Sequence, residues 1–322
     1  MIIPNNLNLW LYTSIFILSA FSLDFYLEKY KLKQNCFKTA AIVSIGWILA
    51  ALIFNGLLWY YLKINLNNTI ADHKALEFLT GYLLEKSLSL DNIFIFVLIF
   101  KYFNIPSNYQ RLVLNYGIIG AIFFRLFMIF FGIWLIKKLH WILYIFGGIL
   151  IISGGKILIS SLFVKKPIKE EIDLNNNLII KLFSKYFRTT KELVKEKFFI
   201  IKENKLYATP LFLALICIEV SDIVFATDSI PAILVILNDP FIIFTSNIFA
   251  IFGLRALYFF LAIGVGKFKF LQEGIAIILM FIGTKILFEI KLPIVITLIF
   301  IITIICSSII ASFLFVKQEK QD

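Results

Sequence analysis

The chain has 322 residues; 61% are hydrophobic, only 16% are charged, mean hydropathy is +0.93 and formal net charge is +11. Soluble domains carry about 45–50% apolar and about 25% charged residues, so the composition excludes a disordered chain, a disulfide-framed secreted module and an ordinary soluble enzyme. Several stretches reach the roughly 20 apolar residues that cross a bilayer, and loops held on the cytoplasmic side account for the positive excess better than nucleic acid does.

The expected fold is all-α, a polytopic transmembrane bundle of about nine spans. Residues 1–75 hold two N-terminal spans, at about 9–27 and 40–62. Met1 to Tyr12 has no basic residue ahead of the first apolar run, so the first segment is read as a retained helix and not a signal peptide. Asp24 is read as a helix-end residue in preference to a ligand. Residues 76–163 hold three spans, at about 76–100, 112–136 and 141–163. Residues 164–208 form the one long polar stretch, with 11 basic and 6 acidic residues. Within it Ile179, Phe183, Tyr186, Phe187, Val194 and Phe198 recur at helical spacing. Two readings stand here: an amphipathic helix in contact with anionic lipid, or a solvated linker. Residues 209–290 hold three more spans, at about 209–237, 241–265 and 274–290, and residues 291–322 hold a last span, about 293–316, with a tail. Cys36, Cys217 and Cys306 lie far apart without CxxC spacing, against a thiolate metal site or a disulfide framework.

The chain repeats itself. Ile-Leu-x-x-x-Gly-x-Lys-Ile-Leu occurs at Ile149–Leu158 and again at Ile278–Leu287. Upstream lie the matched residues Arg125 and Arg255, Asn115 and Asn247, and Pro106 and Pro240. Two acids six residues apart precede them in each unit, Glu85 with Asp91 and Asp222 with Asp228, and the offsets drift from 137 to 129. Each unit covers three spans. An odd number makes the two units cross in opposite senses, the inverted-repeat architecture of many secondary transporters, whose sites lie near the midplane between repeats.

Nine spans place 21 Lys and Arg residues on one side and 5 on the other; without the 11 of the long loop the ratio is still 10 to 5. The N-terminus is expected outside and the C-terminus in the cytoplasm.

A charge at the bilayer centre costs at least about 2.5–3.5 kcal/mol, so each one calls for a partner or a function. The third span contains Glu85-Lys86-Ser87-Leu88-Ser89-Leu90-Asp91-Asn92, and the sixth contains Glu219-Val220-Ser221-Asp222 and Thr227-Asp228-Ser229-Ile230-Pro231. Acids six apart sit about 120° apart on a helix, so they do not share a narrow face, but clusters from facing repeats have the means to converge on one cavity. Pro231 cannot donate a hydrogen bond and frees the carbonyl of Thr227. Carboxylate, hydroxyl and carbonyl oxygens suit a hard divalent cation, Mn²⁺, Ca²⁺ or Mg²⁺. With only His73 and His140, an imidazole-rich zinc site is not expected. The candidate metal residues are Glu85, Asp91, Asn92, Glu219, Ser221, Asp222, Asp228 and Ser229. Some of these acids are expected to neutralise Arg125 and Arg255, with Glu85 and Glu219 as partners, and the rest to bind the cation. No cofactor is called for, since the cation is cargo.

At these residues the chain resembles the TerC/Alx family of bacterial membrane proteins. The matching stretches are Phe78–Asn92, Glu219–Ala232, Thr245–Ala250 and Gly253–Tyr258, and the likeness runs from about residue 9 to 290. The family was named for tellurite resistance. The resemblance implies metal-ion homeostasis, with Mn²⁺ export as the role, kinship to LysE-type transporters, and a cation site at Glu85, Asp91, Glu219, Asp222 and Asp228.

Two other classes compete. An intramembrane aspartyl hydrolase would carry Gly-x-Gly-Asp, which is absent, as is the HExxH zinc motif, so the protein is not read as an enzyme. A scaffold of a metal or tellurite stress-response or secretion complex would act through the basic loop, and deletion of Ile172 to Lys197 separates it from a transporter, which keeps basal flux. Orientation has its own check. Lys185→Cys in a Cys-free variant is expected to react with an impermeant thiol reagent only after cells are permeabilised; labelling of intact cells overturns the assignment.

Overall fold

The computed structural model describes residues 7–31, 37–139, 141–163, 188–190, 193–194, 196–202, 205–237, 239–263, 270–290 and 292–318. Cys36, His140, the loop residues Ile179, Phe183, Tyr186 and Phe187, and the side chains of Asp24, Asp91 and Asp228 lie outside what is described.

Among the described residues the order is α1 (Leu7–Lys31), α2 (Phe37–Asn65), α3 (Asn68–Tyr102), α4 (Ser107–Lys138), α5 (Ile142–Phe163), β1 (Phe199–Lys202), β2 (Lys205–Ala208), α6 (Pro210–Ile236), α7 (Pro240–Phe252), α8 (Leu254–Ile263), α9 (Leu271–Leu287) and α10 (Ile294–Gln318). Each apolar segment read from the sequence falls in helix. Six stretches are long and apolar enough to cross a membrane: Thr39–Asn65, Ser107–Ile136, Ile142–Ile159, Pro210–Ile236, Pro240–Phe260 and Ile294–Ser312. The other three fall short for different reasons. In α1 the run within the described side chains is Asn8–Ser22, α9 has 17 residues, and α3 carries Glu85, Lys86 and Asp91 inside its apolar stretch.

The helices pack around α3, α6 and α7. Phe54 of α2, Phe78 of α3 and Phe249 of α7 form one aromatic cluster, with ring centroids 5.3 Å apart for Phe54–Phe78 and 4.6 Å for Phe54–Phe249. Nearly all of Pro240–Phe260 is buried, which makes α7 and α8 the centre of the bundle. The start of α7 is held by charge. Asp239 Oδ1 accepts the Phe241 N–H at 3.0 Å, an N-cap bond, while its Oδ2 faces Lys74 Nζ at 3.3 Å and Glu77 takes the same ammonium at 2.7 Å. Lys74, one of the 5 basic residues assigned to the less basic side, is thus a buried ion-pair member.

The seventh segment, expected as one helix over 241–265, breaks at Gly253 into α7 and α8. A helix end leaves carbonyls without partners. Here Lys86 Nζ reaches across from α3 and donates to the Ala250 carbonyl at 3.2 Å, a cation set at the negative end of a helix. Gly253 leaves room for it, because a Cβ there would overlap the ammonium.

The described end of the long loop is strand, not helix. Phe199–Lys202 pairs antiparallel with Lys205–Ala208, and Thr209 Oγ1 donates to the Lys197 carbonyl at 2.8 Å, tying the hairpin to the start of α6. Phe198 sits edge-on to Tyr116 of α4 at 5.1 Å, and Phe199 meets Phe212 of α6 at 4.3 Å. These cross-strand bonds and ring contacts override the helical spacing that the reading carried as far as Phe198. Two apolar runs two residues apart are the hairpin signal that the periodicity masked.

The matched glycines of the repeated motif meet each other's helices. A Cβ on Gly154 of α5 would lie 2.6 Å from the Ala276 carbonyl and 2.8 Å from Met280 Cγ of α9; one on Gly283 of α9 would lie 2.7 Å from both the Gly147 carbonyl and Ile151 Cγ1 of α5. Small residues let membrane helices approach this closely. Gly154→Val and Gly283→Val are each expected to cost roughly 1–3 kcal/mol by overpacking. A thermal shift of detergent-purified protein checks it, with Gly155→Val, where a Cβ meets nothing within 4 Å, as the unchanged control.

Candidate functional site

The polar residues of α3, α4, α6 and α7 meet in one buried layer. Its hub is Arg125, in the middle of α4 and 2% exposed. The guanidinium grips Asp222 of α6 with two bonds, Nε to Oδ2 at 3.1 Å and Nη2 to Oδ1 at 2.9 Å, the fork geometry of a bidentate pair. Nη1 pairs with Glu85 Oε1 of α3 and donates to Asn247 Oδ1 of α7 at 3.2 Å. Asn247 passes the contact on, its Nδ2 donating to Glu85 Oε2 at 3.2 Å. Ser89 Oγ donates to Glu85 Oε1 at 3.3 Å, and Asn92 Nδ2 to Asp222 Oδ1 at 3.2 Å. Burial of two carboxylates is tolerable because one guanidinium and three uncharged donors meet their oxygens.

Of the eight metal candidates, the layer thus gathers Glu85, Asn92 and Asp222, two of them acids committed to Arg125. The pairing expected for Arg125 is present, with Glu85 as one partner and Asp222 as a second. Ser221 Oγ turns back to its own helix and donates to the Cys217 carbonyl at 2.7 Å. Ser229 Oγ and Asn92 Oδ1 are buried and have no hydrogen-bond partner among the described residues. Both residues line a cavity of about 420 Å³ beside Glu85 and Arg125. Asp91 and Asp228, whose side chains are outside the description, neighbour these two residues in sequence.

Glu219 stands apart. Among the described residues its Oε2 has no hydrogen-bond partner. Its carboxylate lies in the space where a Cβ of Gly120 would be, so the glycine of α4 makes the notch that holds it. It lines a second cavity, about 340 Å³, with Asp222, Arg255 and the apolar Phe96, Ala121 and Ile218. Arg255 of α8 donates from Nη1 to Asn115 Oδ1 of α4. Among the described residues no three His, Cys, Asp or Glu side chains gather as a metal-holding group.

Two asparagines were read from the sequence only as repeat markers. Their role was signalled by their pairing with the arginines: Arg125 of the first unit bonds Asn247 of the second, and Arg255 of the second bonds Asn115 of the first. Lys86 was likewise missed as a helix-end partner.

The family of integral membrane proteins described as TerC matches residues 70–321. Among curated relatives, a protein of Escherichia coli K12 named Alx, a proposed membrane-bound redox modulator, is 40% identical over 250 residues, covering 78% of this chain and 76% of its own. The Alx of Photorhabdus laumondii is 43% identical over 282 residues, covering 87% and 85%. An uncharacterized membrane protein of Rickettsia felis is 43% identical over 280 residues, covering 86% and 88%. No solved structure matches.

Removing Arg125 leaves Glu85 and Asp222 buried without their counter-charge. Arg125→Leu is expected to destabilise the protein by roughly 3–5 kcal/mol, the cost of breaking a buried pair from one side. A lower melting temperature or reduced accumulation checks it; an unchanged melting profile refutes the pairing.

Proposed function

The chain belongs to the TerC family of integral membrane proteins, and we propose that it exports a divalent metal cation, Mn²⁺, across the bacterial inner membrane. On this reading nine helical spans form two inverted three-helix repeats, 76–163 and 209–290, with the N-terminus outside and the C-terminus in the cytoplasm. The cation passes a midplane site built from Glu85, Asp91, Asn92, Glu219, Ser221, Asp222, Asp228 and Ser229.

The observation that carries the reading is reciprocity around a buried carboxylate layer. Matched residues cross-bond between the units, Arg125 to Asn247 and Arg255 to Asn115, and matched glycines pack into each other's helices. Such exchange is what two inverted units related by a two-fold axis produce. Between them lie cavities with oxygen atoms that lack partners among the described residues. Five acids, Glu85, Asp91, Glu219, Asp222 and Asp228, against Lys86, Arg125 and Arg255 leave a formal charge of −2 when all are ionised, a match for a divalent ion. The oxygen-only donor set favours hard cations, and the family resemblance selects Mn²⁺ among them.

The redox role attached to the relatives' name would need reactive thiols. Among the described residues the thiols are Cys217, buried, and Cys306, exposed, on different helices and both free, so these two do not form a redox pair.

Asp91→Asn and Asp228→Asn keep size and most hydrogen bonding but remove charge at matched positions. Each is expected to abolish Mn²⁺ export while the protein still inserts, and Glu219→Gln to weaken it less. The check is growth in excess Mn²⁺ of cells lacking other manganese exporters, with protein levels blotted. If both Asn variants protect as well as the parent, these acids are structural and the site is wrong.

A further inference from the structure

The two cavities lie end to end along the same helices. Down α6, Ile218 and Glu219 line the first, Phe225 and Ser229 the second, and Asp222 falls between them. Up α3 the order is Phe96, then Asn92, then Leu88 and Glu85. Along α4, residues 114–121 line the first and Arg125 the second. The wall between them is the Arg125–Asp222 pair itself, since Asp222 faces one cavity and Arg125 the other. Arg125 also holds Glu85 and Asn247, so the guanidinium joins α3, α4, α6 and α7 across the level where the cavities would connect.

We propose that Arg125 is a tethered cation that closes the passage between the two cavities and selects for charge, because only an ion of charge +2 can displace it from Glu85 and Asp222. This rests on the transport reading for the identity of the ion, but the closure itself does not. Two carboxylates and one guanidinium carry a formal −1. A monovalent ion brings the same charge as the guanidinium without its fork of directed hydrogen bonds, so it gains nothing by exchange. A divalent ion neutralises both acids, and carboxylate oxygens are its preferred ligands. The site accordingly stays shut to Na⁺ and K⁺ without a size filter, and an ion that enters must break the wall it passes. The neighbouring unpartnered oxygens of Asn92 and Ser229 supply the next ligands on the far side.

The test is thiol accessibility in full-length protein with its three native cysteines replaced by alanine. Ala121→Cys places a probe in the first cavity and Leu279→Cys in the second. A small cationic, membrane-impermeant thiol reagent is applied to right-side-out and to inverted vesicles. With the layer intact, each probe reacts from its own side and is blocked from the other. In the neutral triple Glu85→Gln, Arg125→Gln, Asp222→Asn, far-side labelling of both probes is expected to rise roughly tenfold or more, as when an open state held at a few per cent becomes the major one. Should the triple fail to accumulate, Arg125→Gln with Asp222→Asn serves, because Glu85 keeps its bonds from Asn247 and Ser89. Far-side rates that stay at the intact level in the neutral variant, or an intact protein labelled equally from both sides, overturn the gate. Adding Mn²⁺ to the intact layer should raise far-side labelling where Na⁺ does not. If Mn²⁺ has no effect while the neutral variant opens, the closure stands, but displacement of Arg125 by a divalent ion is overturned and the metal assigned to transport falls with it.

Discussion

A carboxylate taken out of water costs several kcal/mol unless a counter-charge and hydrogen bonds meet it, and α3 and α6 each carry one to the centre of this bundle. Glu85 and Asp222 survive there because Arg125 reaches both. That requirement fixes more than three side chains. The guanidinium is planar and its donors point in set directions, so α3, α4 and α6 must stand at one depth and one rotation. Asn247 brings α7 into the same constraint. The apolar core could be satisfied by many helix arrangements of similar volume; the polar layer tolerates far fewer.

Helix backbones must come close for so short a reach. Gly120 lets Glu219 lie against α4, and Gly154 and Gly283 let α5 and α9 meet backbone to backbone. In lipid there is little hydrophobic drive between helices, and close van der Waals packing supplies it instead. The two devices divide the work: glycine seams set distance, and the arginine layer sets depth and rotation. Lys86 adds a third link, since its ammonium satisfies a carbonyl released where α7 gives way to α8.

Much of this was legible in residue order. The apolar runs located the helices, since a stretch of some 20 apolar residues has few other uses, and the Arg125 pairing followed from the cost of a lone intramembrane charge. The break at Gly253 was not legible, because the run over 241–265 stays apolar on average despite Gly253 and Arg255, and Lys86, which meets the broken end, lies 164 residues away on another helix. The hairpin before α6 was obscured by apolar residues that fit a helical period equally well. The choice of Asp222 over Glu219 as the partner of Arg125 is a matter of helix rotation. The two acids lie three residues apart on one helix, about 60° apart around its axis, and only packing decides which one faces α4's arginine and which its glycine.

That choice also breaks the symmetry of the repeat. Glu85 and Asp222 are matched acids of the two units, yet both converge on the arginine of the first, while the arginine of the second reaches Asn115. The position matched to Glu219 in the first unit is Tyr82, 137 residues earlier, a buried residue whose hydroxyl has no hydrogen-bond partner among the described residues. Two equal units would give two equivalent sites and two equivalent cavities. Here one cavity holds a carboxylate without a hydrogen-bond partner at Oε2, and the other holds unpartnered neutral oxygens beside a paired acid. The Glu219 cavity also holds Arg255, and the Ser229 cavity holds Glu85 beside Arg125, so each sets an acid near an arginine. The positions that match in sequence are thus unequally decorated, and the Arg125 layer lies where the linings of the two cavities meet.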